Sequence, residues 1–441
     1  MNNKFSLGFW NYVNMGAYGP EAVKDWTDCG MNLCLSPVFD PDLHDPADLL
    51  VMLDECERQD VKLIISDKRA LWQGASSDPT AYRERFIDAY KTFGKHPSVF
   101  GFYIGDEPRA VESEPQNIQF IDAITAYKIQ LEVAPELTPL INFLPFFKGV
   151  EKLLLADSFE QWADHFVKES GLRMFSYDCY SQLKLNDPEE SGIHGYFENL
   201  NKYSAAAKRA NIPFWVTNLS TAHYRYRCPT EDDFRWQLNT SIACGAKCIW
   251  WFIFYMLIQS DAARSMKTMV NFRVPPIDEH WERTETFVWL SRVQRSFQHT
   301  FGKIMADLVH IRTYHCLKAY GGYELLSENI DPIIKKVECN NNLPSILSIF
   351  HDSCGRKYIV IVNNSQTESG LFTYHFASSV KHIYQIIWGG HEIDVEAIVA
   401  ETEYRKTDEG SKISAWLAPG QMEVYRLEFV ITSKQDSADQ G

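Results

Sequence analysis

The sequence lacks the features that mark several large classes of protein. Its most apolar run, Cys248–Ile258, falls well short of the roughly 18 residues that span a membrane. Met1–Trp10 holds no apolar segment of signal-peptide length. No run of Lys and Arg exceeds three, and 43 basic against 58 acidic side chains leave a formal net charge of −15. A surface so acidic repels phosphate backbones and anionic headgroups, which argues against nucleic acid or a membrane as partner. The ten cysteines are scattered and form no CxxC pair. Cys34 and Cys248 lie in apolar runs, so buried free thiols in a reducing, cytoplasmic compartment are expected. Glycine-rich dinucleotide and phosphate loops are missing, as are HExxH and paired-histidine patterns, so no cofactor and no metal is expected. Asp40–Asp45 is rich in acids but lacks the glycine and spacing of a calcium loop, and reads as a surface loop.

What is present is a folding composition: 441 residues, 45% hydrophobic and 23% charged, enough to bury a full core. Short β-branched or aromatic runs alternate with longer amphipathic stretches. The runs are Phe5–Tyr12, Met31–Pro37, Lys62–Ser66, Val99–Gly105, Pro139–Leu144, Met174–Tyr177, Pro213–Leu219 and Lys247–Phe254. Between them, Ala47–Gln59 places Leu49, Leu50, Leu53 and Cys56 on one helical face, and Pro79–Phe93 and Asn117–Val133 behave similarly. Eight strand–helix units in about 300 residues predict a parallel sheet and favour a (β/α)8 barrel over an open doubly wound sheet. After a last helix over Trp281–Phe301 the pattern alternates apolar and polar residues to Phe429, with turns at Asn363-Asn364, Gly389-Gly390 and Pro419-Gly420. This predicts a barrel over residues 1–305, an all-β sandwich over 306–430 and a polar tail over 431–441. The β-module is expected to bind sugar, to close the barrel's side or to join copies of the chain into a homo-oligomer. Trp388 and Trp416 read equally well as core and as ligand platforms.

In a parallel barrel the strand C-termini converge on one face, where sites are built. Asp67-Lys68-Arg69 follows the third strand and Asp106-Glu107-Pro108 the fourth. Asn142 lies in the fifth, Asp178 ends the sixth between Tyr177 and Tyr180, and Asn218 and His223 follow in the seventh and its loop. The eighth holds Trp250 and Trp251. Carboxylates beside aromatics suit a carbohydrate, whose hydroxyls bond to acidic and amide groups while its C–H face packs on rings. Trp10, Tyr103, Tyr177, Trp215, Trp250 and Trp251 are candidate platforms, of which two or three are expected to line the site. Tyr12 and Asn14 follow the first strand and are within reach of a ligand. His223, a lone histidine, reads as a surface residue, and Lys68, between Asp67 and Arg69, as a salt-bridge partner.

The stretch His96-Pro-Ser-Val-Phe-Gly-Phe-Tyr-Ile-Gly-Asp-Glu-Pro108 resembles the fourth strand of clan-A glycoside hydrolases, in particular a beta-galactosidase-like branch that reads Asp-Glu-Pro. Ile141–Pro145, Ser176–Tyr180, Arg227–Trp236 with Ala243–Lys247, and Trp416–Gln421 also look like that branch. The resemblance implies a (β/α)8 fold and cleavage of O-glycosidic bonds in an oligosaccharide or glycoconjugate. It makes Glu107 the general acid/base, protonating the departing oxygen and then activating water. Asp106 either raises its neighbour's pKa or binds a sugar hydroxyl. The bland alternative is that Asp106-Glu107-Pro108 caps the following helix.

The sequence departs from that family at the seventh strand, where a nucleophilic Glu is implied. Pro213–Thr221 has no carboxylate, and Glu231 reads as a first-turn helix acid. Asp178 is the first replacement and Asp67 the second. About 5 Å from Glu107 suits a nucleophile, and roughly 6.5–9.5 Å suits a base for water. Asp67, Tyr103, Asn142, Tyr177 and Asn218, with the indoles of Trp10, Trp250 and Trp251, are the expected substrate contacts. A carbohydrate-binding or catalytically degenerate barrel without turnover is the competing reading, and a lyase or transglycosidase the third.

Overall fold

The computed structural model describes residues 4–111, 114–184, 191–256, 270–327, 330–397, 403–407 and 409–430. The predicted tail and the end of the Cys248–Ile258 run lie outside these residues. Each predicted apolar run contains a strand: β1 (Ser6–Phe9), β2 (Leu33–Leu35), β3 (Lys62–Ile65), β4 (Val99–Asp106), β5 (Leu140–Asn142), β6 (Phe175–Asp178), β7 (Phe214–Leu219) and β8 (Cys248–Phe252). Helices alternate with them, α1 (Val23–Asp28), α2 (Pro46–Arg58), α3 (Pro79–Ala89), α4 (Gln119–Val133), α5 (Phe159–Ser170), α6 (Ser191–Ala210), α7 (Glu231–Ala243) and α8 (Glu285–Phe297). Their starts follow from the sequence. Asp45 accepts from Ala47 N ahead of Pro46 at the first turn of α2, and Thr230 and Asp233 form a reciprocal cap on α7. In α2 the buried face is Leu49, Met52, Leu53 and Cys56. Met52 takes the place expected of Leu50, which lies at the edge of the stripe.

All eight strands are parallel and fall into two sheets, β2-β3-β4-β5 and β1-β8-β7-β6. Their edges meet twice. Asn32 N donates to Leu7 O (2.8 Å) between β1 and β2, and Phe143 N donates to Ser176 O (2.7 Å) between β5 and β6. Gly8 allows the first junction, because a Cβ there would collide with the Leu33 carbonyl. Side chains from β2, β3, β5, β7 and β8, among them Leu33, Ile64, Leu140, Trp215 and Trp250, pack as a separate inner core with Trp10. The opposite faces, through residues such as Leu63, Phe175, Val216 and Trp251, join the larger core under the helices.

From Val309 onward the described residues form β-strands joined by turns and two short 3-10 segments. A seven-stranded sheet and a four-stranded sheet share one apolar core, with Leu347, Ile359 and Tyr425 from the first meeting Phe372, Tyr374 and Ile413 from the second. The seven-stranded sheet is apolar on its other face too, where Phe350, Val360, Val362 and Val424 join the core under the helices. Each such side chain contributes about 1.5–3 kcal/mol through burial. The predicted turns seat this region on α7. Asn364 accepts from Trp236 Nε1 (2.9 Å), and the Gly420 carbonyl accepts from Asn239 Nδ2 (2.8 Å). Trp388 and Trp416 are exposed rather than core. All ten cysteines are free, and no helix among the described residues is long and apolar enough to cross a membrane.

Candidate active site

The C-terminal ends of β4, β5 and β6 lie side by side and carry Asp106, Asn142 and Asp178. Successive residues of a strand face opposite ways, so Asp106 and Glu107 should diverge. They do not, because Glu107 adopts φ +49°, in the left-handed region, directly after the strand. For a residue with a Cβ this conformation costs about 1–2 kcal/mol. It is held by the Glu107 N–H donating to the Asn142 carbonyl (2.8 Å). Both carboxyls consequently line one cavity of about 140 Å³ with Asn142, Asp178 and Thr217. Trp10, Tyr12, Tyr180 and Phe252 supply its aromatic walls. A second cavity of about 450 Å³ shares Asp106 and Glu107 and is lined further by Trp72, Tyr103 and Arg109. Gly105 lies against the Trp72 ring, where a Cβ would clash.

Asn142 organises the carboxyls. Its amide nitrogen donates to Asp106 Oδ1 (3.0 Å) and to Asp178 Oδ1 (2.7 Å), while its oxygen accepts from Ser176 Oγ (3.1 Å). The serine fixes the amide orientation, and both amide protons are used. Burial pushes the Asp106 carboxyl up to about 7, with the neighbouring Glu107 charge raising it further and Asn142 and Arg109 opposing. Asp178 is raised well above the usual carboxylate range by burial first and then by the charges of Glu107 and Asp106. Burial raises Glu107 as well, against the Arg109 guanidinium, whose Nη1 stands 3.7 Å from Glu107 Oε2. Three carboxyls in one partly closed space cannot all ionise cheaply, so protons are retained there near neutral pH.

The other expected contacts divide by strand face. Trp10 lines the smaller cavity and Tyr103 the larger. Trp250 and Trp215 lie in the inner core, their rings 6.0 Å apart, with Trp250 6.3 Å from Trp10. Tyr177, Asn218 and Trp251 face the helices. Tyr177 stacks on Tyr203 at 4.0 Å, Asn218 donates to the Gln237 carbonyl, and Trp251 donates to Gln294. Asp67 is fully buried beneath Arg69, which bonds both of its carboxyl oxygens. Lys68 pairs with Asp40, and Glu231 with Arg235 and Arg292 in the first turn of α7. His223 is a correction. It is buried, stacked on Phe272 behind Phe252, and burial lowers its pKa to about 4.

Sequence reasoning left out Thr217, Phe252, Trp72 and Arg109. Thr217 and Phe252 share strand parity with Trp215 and Trp250, whose inward placement only the structure gives. The Thr217 hydroxyl and the Trp10 indole nitrogen are buried without a hydrogen-bond partner. Among the described residues, Asp54, Glu57 and His96 form a carboxylate–histidine cluster of metal-ligand spacing. His96 precedes β4, at the opposite end of the strand from Asp106.

Two edge-joined parallel sheets with acids gathered at the strand C-termini are the geometry that can be set beside known proteins. No protein-family model and no curated protein sequence matches the chain. Among solved structures, a beta-galactosidase from the psychrophilic Marinomonas ef1 matches with a TM-score of 0.50 and 12% identity over 68% of this chain and 61% of its own. A beta-galactosidase from Rahnella sp. R3 has a TM-score of 0.49 and 10% identity, covering 71% and 58%. A GH51 arabinofuranosidase from Xanthomonas axonopodis pv. citri has 0.47 and 11%, covering 97% and 96%. The match thus spans about three fifths of the length of the two beta-galactosidases. The chain is similar in fold to clan-A glycoside hydrolases, the group its fourth strand resembles, and at such identity the likeness is one of fold alone.

Proposed function

We propose that the chain is a glycoside hydrolase acting on an oligosaccharide or glycoconjugate, with Glu107 as general acid/base. The observation that carries this reading is the convergence of Asp106, Glu107 and Asp178 on one aromatic-walled cavity. In this reading the two parallel sheets form one closed (β/α)8 barrel over residues 1–305, and residues 306–430 form a β-sandwich that covers α7. Glu107 gives its proton to the glycosidic oxygen as the bond from that oxygen to the anomeric carbon breaks. Asp178 then either bonds to the anomeric carbon or takes a proton from the attacking water. In the first case Glu107 afterwards deprotonates the water that releases the sugar, which restores both carboxyls. Asp106 keeps protons in the site, Thr217 and Trp10 offer free polar groups to sugar hydroxyls, and Asn142 positions carboxyls.

The second reading, a sugar-binding barrel without turnover, is favoured by one observation. The residue of β7 that lines the cavity is Thr217, paired in register with Asp178, and it brings no carboxylate. Turnover of a panel of aryl glycosides and oligosaccharides by the wild type and Glu107→Gln separates the two readings, with the product anomer followed by NMR. Cleavage by the wild type and loss in the variant support hydrolysis. A first-formed product of retained configuration means that the second carboxylate acts as nucleophile and an inverted one that it acts as base, and loss of turnover in Asp178→Asn assigns that role to Asp178. Equal sugar binding by both proteins with no cleavage supports the binding reading.

A further inference from the structure

Trp388 has no part in the site at Glu107. It follows the strand Val380–Ile387 at the Gly389-Gly390 turn and is 64% exposed. The His299 ring packs against it, with centroids 4.0 Å apart, and leaves most of the indole open. From there an open groove of about 710 Å³ runs along α8 to Arg283. Phe287, Ser291 and Arg295 lie four residues apart on α8, so one stripe of the helix forms its floor. Its volume falls within the roughly 300–1,000 Å³ of ligand sites.

The lining is basic on a chain of net charge −15. Three arginines line the groove, and no carboxylate does so among the described residues. Two of the three are already engaged, Arg283 by Asp25 and Asp28, and Arg292 by Glu231. Arg295 lies with its stem against Gly30, and among the described residues no carboxylate pairs with it. The groove is remote from Glu107. On the buried side of α8, Gln294 accepts from Trp251, while the adjacent Trp250 faces the inner core, so β8 stands between the two sites.

We infer that this groove is a second saccharide site, for a sugar chain that carries a carboxylate. The Trp388 indole takes the C–H face of one ring, and the Arg295 guanidinium takes the carboxylate, with Arg292 and Ser296 as neighbouring donors. An indole alone would suit any sugar and an arginine alone any anion. Together they select a ring and an acid in one ligand. The net negative charge repels such a ligand from afar, but at about 0.15 M salt the repulsion is screened beyond about 8 Å, and the lining residues decide what is held. The inference concerns binding and does not rest on the reading of Glu107.

The test is titration of the full-length chain with tetragalacturonate, followed by ligand-observed NMR at physiological ionic strength. The methyl ester of that sugar keeps the rings and removes the charge, and tetraglutamate keeps the charge and removes the rings. Tetragalacturonate is expected to bind, and the other two to bind at least about tenfold more weakly. Trp388→Ala and Arg295→Gln should each weaken it about tenfold, and Glu107→Gln should leave it unchanged. Both side chains are exposed, so the variants should keep the wild-type Tm. Should Trp388→Ala lower it, Trp388→Tyr keeps a ring and should keep the binding. No binding of tetragalacturonate, or binding indifferent to both substitutions, overturns the inference. A loss in Glu107→Gln instead moves the acidic sugar to the catalytic cavity and overturns it too. Tetraglutamate held equally well makes the groove a surface for acidic peptides and removes the saccharide, and an ester held equally well removes the demand for an acid.

Discussion

Two regions of the molecule hold a carboxyl raised to about 7, in both cases chiefly by burial, and they differ in what surrounds it. Asp106, at the end of β4, is raised by burial and by its neighbour Glu107, and it faces a cavity. Glu423, between the two C-terminal sheets, is raised by burial with only the Tyr425 hydroxyl opposing. It is tied to Tyr425 and Gln385 and is 8% exposed. A displaced titration alone is therefore no mark of a site. What separates the two is company and access: Asp106 has two more carboxyls and open space, and Glu423 has apolar neighbours and neither.

The comparison breaks or sharpens through substitution. The largest effect is expected at Glu107. Glu107→Gln should lower kcat on an unactivated glycoside by about 10²–10⁴-fold, the range of a lost general acid, in steady-state kinetics. Asp178→Asn should lose a comparable factor, and a loss below tenfold would remove Asp178 from the chemistry. Asn142→Ala comes next, about tenfold in kcat. Its hydrogen bonds lower the pKa of both Asp106 and Asp178, so the profile of kcat/KM against pH should move upward as well. A fall in KM-independent stability without that movement would make Asn142 merely structural. Arg109→Gln should shift the alkaline limb to higher pH, because the guanidinium opposes the rise of the Glu107 pKa.

The smallest effect is the control. An acid whose folded pKa is raised keeps its proton longer in the folded state than in the unfolded one. Its contribution to stability is full below its ordinary value of 4.5 and is lost as pH rises towards about 7. Glu423→Gln should cancel that loss and stabilise the protein by about 1–3 kcal/mol at pH 8, read by urea unfolding at pH 4.5 and 8. Its pH–activity profile should stay that of the wild type. A changed profile would mean that the β region and the cavity titrate together.

Much of the fold was legible. Each apolar run contained its strand, because β-branched and aromatic clusters between amphipathic stretches have few other uses. The turns Asn363-Asn364 and Pro419-Gly420 also stood where expected, and they proved to be the seat of α7. Strand parity was not legible. Strands buried on both faces read as continuous apolar runs, so nothing in Phe214–Leu219 or Cys248–Phe252 told inward from outward. That is why Asn218 and Trp251 were named beside Trp250 while Thr217 and Phe252 were passed over. The pairing of Asp106 with Glu107 depends on a left-handed backbone at a glutamate, which no local pattern signals. Asn142 was expected to contact substrate, and that its amide is wholly occupied by neighbouring side chains was not legible, since that needs three strands placed together.

The most direct test of the account is the dependence of the Glu107→Gln defect on the leaving group. Aryl glycosides of one sugar, graded in phenol acidity, should show little loss with a dinitrophenyl aglycone, which departs without a proton. The loss should grow steadily toward the least acidic phenols, because only those need the Glu107 proton. An equal loss across the whole series would contradict the account and leave Glu107 a structural residue.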